Sequence, residues 1–199
     1  MINYARDLIL QRISPGLWDF GLQLFNSTPS TFPVKFIDGD IFDSAILDMS
    51  ATPATPEVPS LHSLGNSLTP LRNHISVIHV SLVFHLFTED KQLELAQRLG
   101  ALLSPLPGSM IFGLHVGLPA PGIHTRDYSG LQIFSHSPDS WRTLWETKVF
   151  QKGSIEVDAK LVGPDPIRSS NEEPTEFYGN DTNEHWMAVD WMIWSVKRL

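Results

Sequence analysis

Two stretches concentrate the side chains able to move a proton or hold an anion. The first is HISVIHVSLVFHLF, His74 to Phe87, with His79 and His85. An imidazole titrates near neutrality, so His85, where a strand gives way to a helix, could orient or deprotonate a substrate hydroxyl. The competing role is a histidine that hydrogen-bonds backbone around the strand end. The second stretch follows the strand at Met110 and carries His115, His124, Arg126 and Tyr128. On fold grounds this loop is the natural substrate lid, because ligands in open α/β sheets bind beyond the carboxyl ends of the strands. Arg126 offers a planar fork that holds a carboxylate through two hydrogen bonds, though a surface ion pair would use it equally well.

Other chemistries lack their residues. The histidines are scattered, with no H-x-x-x-H or carboxylate partner at ligand spacing, so no metal site is assigned. No G-x-S-x-G elbow, G-x-G-x-x-G turn or phosphate loop occurs. Zero cysteine removes disulfides, thiolate ligands and a thiol nucleophile, and fits a cytoplasmic location. A formal charge of −8 without a Lys/Arg cluster argues against nucleic acid and anionic membranes as partners. No apolar run reaches the about 20 residues that cross a bilayer, and MINYARDLIL does not read as a secretory signal.

The elements that must position these groups read as a strand, helix, strand unit. Ile75 to Phe84 is nearly continuous in β-branched and aromatic residues, which predicts a strand buried on both faces. TEDKQLELAQRLGALLS then puts Leu93, Ala96, Leu99, Leu102 and Leu103 on one side of a helix, with Thr88 ahead of an acidic first turn. GSMIFGLHV supplies the second strand, and such units pair in parallel. Upstream, Leu8 to Leu10 is a short strand or a helical turn, LWDFGLQLF a helix, and VKFIDGDIF a strand ending in Asp38-Gly39-Asp40. Residues 49–71 and 114–137 read as long loops. Downstream, Ser137-Pro138 opens a helix with Trp141, Leu144 and Trp145 on one face. SIEVDAKLVG alternates as a half-exposed strand, and a last strand starts near Met192. With 199 residues and 42% hydrophobic content the chain reads as one domain, 1–199.

The order of these features resembles the class I S-adenosylmethionine-dependent methyltransferases of fungal secondary metabolism, which modify polyketide and meroterpenoid acids or hydroxyls. The matching segments are LWDFGLQLF (Leu17 to Phe25), GDIFD (Gly39 to Asp43), FHLF (Phe84 to Phe87) and GSMIFGLHVG (Gly108 to Gly117). The resemblance implies an α/β, Rossmann-like sheet, mostly parallel with an antiparallel C-terminal strand. It implies S-adenosyl-L-methionine as cofactor and O-methylation of a small apolar metabolite in a fungal biosynthetic pathway. Asp40 would hydrogen-bond the adenine amine, Ile41 or Phe42 would pack on the ring, and His79 joins them as a cofactor residue. His85 is then the catalytic candidate, and His115, His124, Arg126 and Tyr128 face the substrate.

The sequence departs from that pattern at its start. A first strand running into a glycine-rich turn belongs ahead of the LWDFGLQLF helix, but the sixteen residues there hold one glycine, Gly16. Gln11 and Arg12 stand where an acid would grip the ribose, and Ser76 replaces an acid at a strand start. The expectation is an N-terminally truncated domain, its sheet incomplete on the cofactor side. Either a protein partner completes it, or the chain is a non-catalytic relative, or the reading frame begins further upstream.

Overall fold

A computed structural model describes residues 8–11, 15–28, 30–32, 34–52, 59–60, 64–126, 131–163 and 190–199. Strand β1 (Leu8–Gln11) runs parallel to β2 (Lys35–Asp38), with helix α1 (Pro15–Leu24) between them in sequence. Of the two readings open for Leu8 to Leu10, strand is the observed one. After β2 the chain makes turns through Asp43, and a 3₁₀ turn at Thr69–Leu71 leads to β3 (Val77–His79). Helix α2 (Glu89–Leu102) carries it over to β4 (Met110–Gly117), parallel to β3, as the periodicity predicts.

Strands β5 (Gly122–Arg126) and β6 (Leu131–Ser135) form an antiparallel pair where the sequence suggested only a loop. GIHTR and LQIFS both alternate, and the intervening DYSG is turn-forming composition, so the hairpin signal was present. Helix α3 (Pro138–Leu144) follows and continues as one π turn, Trp145–Val149. Its start is built as Ser137-Pro138 implies: the Ser137 hydroxyl accepts from the Ser140 N–H, and Ser140 reciprocates. Strands β7 (Ile155–Val162) and β8 (Asp190–Arg198) close the main sheet in the order β3-β4-β8-β7. Strand β8 is antiparallel to both neighbours, running from Met110↔Lys197 to Gly117↔Asp190 against β4.

The core lies on the face of this sheet that α2 and α3 cover. Leu95, Ala96 and Leu99 of α2 meet Ile111, Met192, Trp194, Val196, Ile155, Val157 and Ala159 from the strands, with Trp141, Leu144 and Trp145 from α3. At its centre Phe84 is fully buried and meets Trp141 edge-on at 4.8 Å between ring centroids and Trp194 at 5.7 Å. Such aromatic pairs contribute about 0.5–1.5 kcal/mol each beyond area burial. Leu93 packs partly buried against this core, and Gln92 takes a fully buried place beside it. Thr88 occupies the N-cap position of α2 in extended conformation, but its side chain makes no capping hydrogen bond.

The opposite face differs from expectation. Rather than being buried on both faces, β3 leaves Val77 56% exposed, and Phe112 and Ile193 on the neighbouring strands are 36% and 41% exposed. Strand register puts these side chains on one surface, which no helix among the described residues covers. Within the described residues β3 pairs on one edge alone.

Candidate functional site

The loops leaving β2 and β3 meet through Phe42 and Phe87, and between them carry four candidates, Asp40, Ile41, Phe42 and His85. At the end of β2, Asp40 is exposed and its Oδ1 accepts the Phe42 N–H at 2.9 Å, a local turn that any Asx residue makes. Its second oxygen has no partner among the described residues. Ile41 packs against both buried clusters. Its carbonyl and that of Leu47 each accept from Nη1 of Arg98 at 3.0 Å, which ties the loop to α2. Phe42 meets Phe87 edge-on at 5.2 Å, while the Lys91 ammonium sits 4.3 Å from the Phe42 centroid. The loop after β2 therefore touches the loop after β3 through an aromatic contact.

The two histidines of the His74–Phe87 stretch separate. His79 is exposed on the uncovered face, 5.0 Å from Phe112, with Nε2 2.7 Å from the Ser81 hydroxyl. Ser81 also accepts the Leu114 N–H, and Leu82 continues the pairing by donating to the Leu114 carbonyl. Leu82 does so at φ 59°, a left-handed conformation that costs a bulky L-residue roughly 1–2 kcal/mol. That turn takes the chain across the sheet edge, and His85 arrives buried on the other side, in a 3₁₀ turn at Phe84–Leu86.

His115 is 1% exposed, inside the aromatic core, 4.6 Å from Trp141 and 5.6 Å from Phe84. The Trp194 indole N–H donates to its Nδ1 at 2.8 Å. An indole donates only, so Nδ1 is a lone pair and Nε2 carries the proton of the neutral ring. Burial, then the neighbouring His85 and His136, push its pKa down to about 3. His124 lies on β5 with its pKa lowered by partial burial. Arg126 ends β5, and nothing is described of its side chain; Tyr128 lies outside the described residues. Asp40, Ile41 and Phe42 thus lie in the loop after β2, and His85 lies near His115 in the core, whereas His79 faces away from the buried histidines.

Sequence reasoning missed His136, Gln92 and Ser140. His136 is 3% exposed between Phe134 and Trp141, and burial lowers its pKa to about 4. Its Nδ1 lies 2.9 Å from Ser140 Oγ. Gln92 Nε2 donates to the Phe87 carbonyl at 3.0 Å and the Phe134 carbonyl at 2.8 Å, joining β6 to the start of α2. A cleft of about 310 Å³ opens over His136 between α2 and α3, with Leu93, Leu144 and Ser140 in its lining and Glu89, Asp90 and Lys148 beside them. The one signal for His136 was its place just before a helix start, at the carboxyl side of a short alternating run.

These residues fit the adenosine end of a nucleoside cofactor: a carboxylate with a free oxygen at a strand end, beside an apolar and aromatic shelf. They do not supply the methionine end, because no glycine-rich turn stands beside β3 among the described residues.

No family model matches the chain. Among proteins of known name, it is 30% identical over 155 residues to methyltransferase adrK of Penicillium rubens, covering 77% of this chain and 49% of that protein. It is 34% identical over 141 residues to the asnovolin E/chermesin D methyltransferase nvfJ of Aspergillus novofumigatus, covering 70% and 43%. The chain thus spans about half the length, or less, of the relatives it matches. Among solved structures, 1,6-didemethyltoxoflavin-N1-methyltransferase of Burkholderia thailandensis, bound to its namesake and S-adenosylhomocysteine, superposes with a TM-score of 0.56 at 10% identity. That match covers 97% of this chain and 61% of the other. The chain thus has the fold of class I S-adenosylmethionine-dependent methyltransferases, and by sequence it is a homologue of fungal secondary-metabolism methyltransferases over part of their length.

Proposed function

We propose that the chain forms part of an S-adenosylmethionine-dependent O-methyltransferase acting on a small apolar metabolite in a fungal biosynthetic pathway. The observation that carries this is the joining of the β2 and β3 loops through Phe42 and Phe87 in a chain homologous to fungal methyltransferases. In this reading Asp40 receives the adenine amine, Ile41 and Phe42 pack against the ring, and His79 lies at the outer rim of the cofactor site. When bound, S-adenosylmethionine supplies an electrophilic methyl group. His85 orients the accepting oxygen, or takes its proton where that oxygen is a hydroxyl; a carboxylate needs only positioning. His115, His124, Arg126 and Tyr128 shape the substrate side, His115 from within the core. A cytoplasmic location accords with this chemistry, and among the described residues no helix is long and apolar enough to cross a membrane.

Titration calorimetry with S-adenosylmethionine and S-adenosylhomocysteine tests the reading. Saturable binding is expected to weaken in Asp40→Ala, and no heat at about 1 mM ligand, the equivalent of about 4 kcal/mol, would sink it for these 199 residues. Transfer of labelled methyl to an added phenol or carboxylic acid then decides whether oxygen is the acceptor.

A second reading has its own observation. The free edge of β3 and the bare face at Val77, Phe112 and Ile193 suit a non-catalytic domain that a protein partner completes. Cofactor binding that appears only with such a partner present would favour it.

A further inference from the structure

The covered side of the sheet holds a group of buried polar atoms without partners among the described residues: Nε2 of His115, Nε2 of His136, Oε1 of Gln92, Oγ of Ser135 and Nε1 of Trp141. The two histidine rings both lie against Trp141, and Ser135 directly precedes His136. Trp141 lies 4.6 Å from the His115 ring and 5.3 Å from that of His136, and Gln92 is bonded to the strand residue two before His136. Leaving one such atom unsatisfied costs about 1–3 kcal/mol, so a group of them in one place calls for an occupant.

The hydrogen bonds that are made fix what each histidine offers. His115 accepts from Trp194 through Nδ1 and therefore presents a donor at Nε2. For His136 the argument runs through Ser140. Its Oγ contacts the Ser137 N–H at 2.9 Å, the Ser137 carbonyl at 3.1 Å and His136 Nδ1 at 2.9 Å. A hydroxyl has one proton and two lone pairs, so all three contacts are satisfied only if it donates to the carbonyl and accepts from both nitrogens. Nδ1 of His136 then carries the proton, and Nε2 is a bare acceptor. Gln92 Oε1 is an acceptor by nature. One donor and two acceptors that come out complementary from independent hydrogen bonds match a hydroxyl oxygen, which accepts from His115 and donates to His136 or Gln92.

The cleft between α2 and α3 gives this group a mouth, since His136 and Ser140 line it together with apolar Leu93 and Leu144. We propose that the α2/α3 cleft is a binding site for a small molecule with an apolar body and a hydroxyl, the hydroxyl entering between His115, His136 and Gln92. The inference does not depend on cofactor binding.

Phenol is the probe, and imidazole nitrogen NMR of the 199-residue chain is the readout. Without ligand, His115 should show the Nε2-protonated tautomer and His136 the Nδ1-protonated one. Phenol should shift the His136 Nε2 resonance saturably. Gln92→Leu should weaken phenol about tenfold, the equivalent of one lost hydrogen bond. Leu93→Trp, which fills the cleft and leaves the histidines in place, should abolish the shift while both tautomers persist. The opposite tautomer at either histidine would overturn the proposal. So would correct tautomers with a long-lived internal water that phenol does not displace, since the position would then hold structural water only.

Discussion

Acidification from pH 8 to pH 5 should destabilise the fold by about 4 kcal/mol through His115 and His136, with a smaller loss of the same sign from the partly buried His124. His115 and His136 have folded pKa values of about 3 and about 4, below the ordinary 6.5, because burial disfavours the imidazolium. A histidine held neutral in the fold and free to charge when unfolded stabilises the fold fully above its unfolded pKa. That contribution is lost as pH falls below 6.5, until the folded pKa is reached. At pH 5 the unfolded state is about 1.5 pH units below the free histidine pKa, worth about 2 kcal/mol per residue. Two residues forfeit about 4 kcal/mol, much of the 5–15 kcal/mol that holds a domain of this size together. The carboxylates Asp48 and Glu94, whose pKa values are lowered by hydrogen bonds from Ser50 and Lys91, stay ionised over this window and contribute little to the slope. Urea unfolding at stepped pH measures the effect. His115→Asn with His136→Asn keeps a polar atom near each Nδ1 and removes their titration, so its stability should fall much less from pH 8 to pH 5, by what His124 alone contributes. A wild-type loss below about 1 kcal/mol, or an equal loss in the double variant, would refute neutral burial of these rings.

Asp40→Asn keeps the turn to the Phe42 N–H but removes the charge, so unfolding should be unchanged within about 0.5 kcal/mol. Nucleoside-cofactor binding should fall about tenfold, and unchanged binding in calorimetry would make Asp40 a turn residue alone. Arg98→Met removes the donors to the Ile41 and Leu47 carbonyls and the pairing with Glu94, so it should cost about 2–3 kcal/mol in urea unfolding. Equal stability would mean the loop is held by packing alone. Val77→Lys places a charge on the free edge strand and should reduce concentration-dependent self-association, read by light scattering, with little change in stability. Identical association of variant and wild type would show that this edge is not the sticky one.

Much of the covered half was legible because local signals and packing agree there. The alternation of Ile155, Val157 and Ala159, the Ser137-Pro138 start and the Trp141/Leu144/Trp145 face all reappear as built. The site was less legible, for reasons that specific residues show. His79 and His85 share one apolar run, so periodicity groups them, yet the left-handed turn at Leu82 sends the chain to the other side of the sheet. No residue-type rule flags a leucine at positive φ, because the conformation is imposed by pairing with Leu114. His115 reads as a loop-edge ligand by position, but its partner is Trp194, 79 residues later in the chain, and only the β4/β8 register brings them together. Gln92 reads as one polar residue on an exposed helix; its two carbonyl partners come from segments that sequence spacing does not associate.

The two faces of the sheet explain why a fold can be clear while its chemistry stays divided. On the helix side, Phe84 and three tryptophans build a dry core in which polar atoms are costly. His115 and His136 there are held in single tautomers by hydrogen bonds, and burial keeps both neutral near pH 7. On the other side, Val77, Phe112 and Ile193 remain partly in water. Burying such side chains fully stabilises by about 1.5–3 kcal/mol each, so half-exposure of three forgoes a few kcal/mol, comparable with the margin of a whole domain. The same face carries His79 and borders the unpaired edge of β3, where the methionine end of a cofactor finds no cradle among the described residues. Covering that face would therefore add stability, and if the covering segment also contacts the cofactor, ligand affinity and fold stability should rise together.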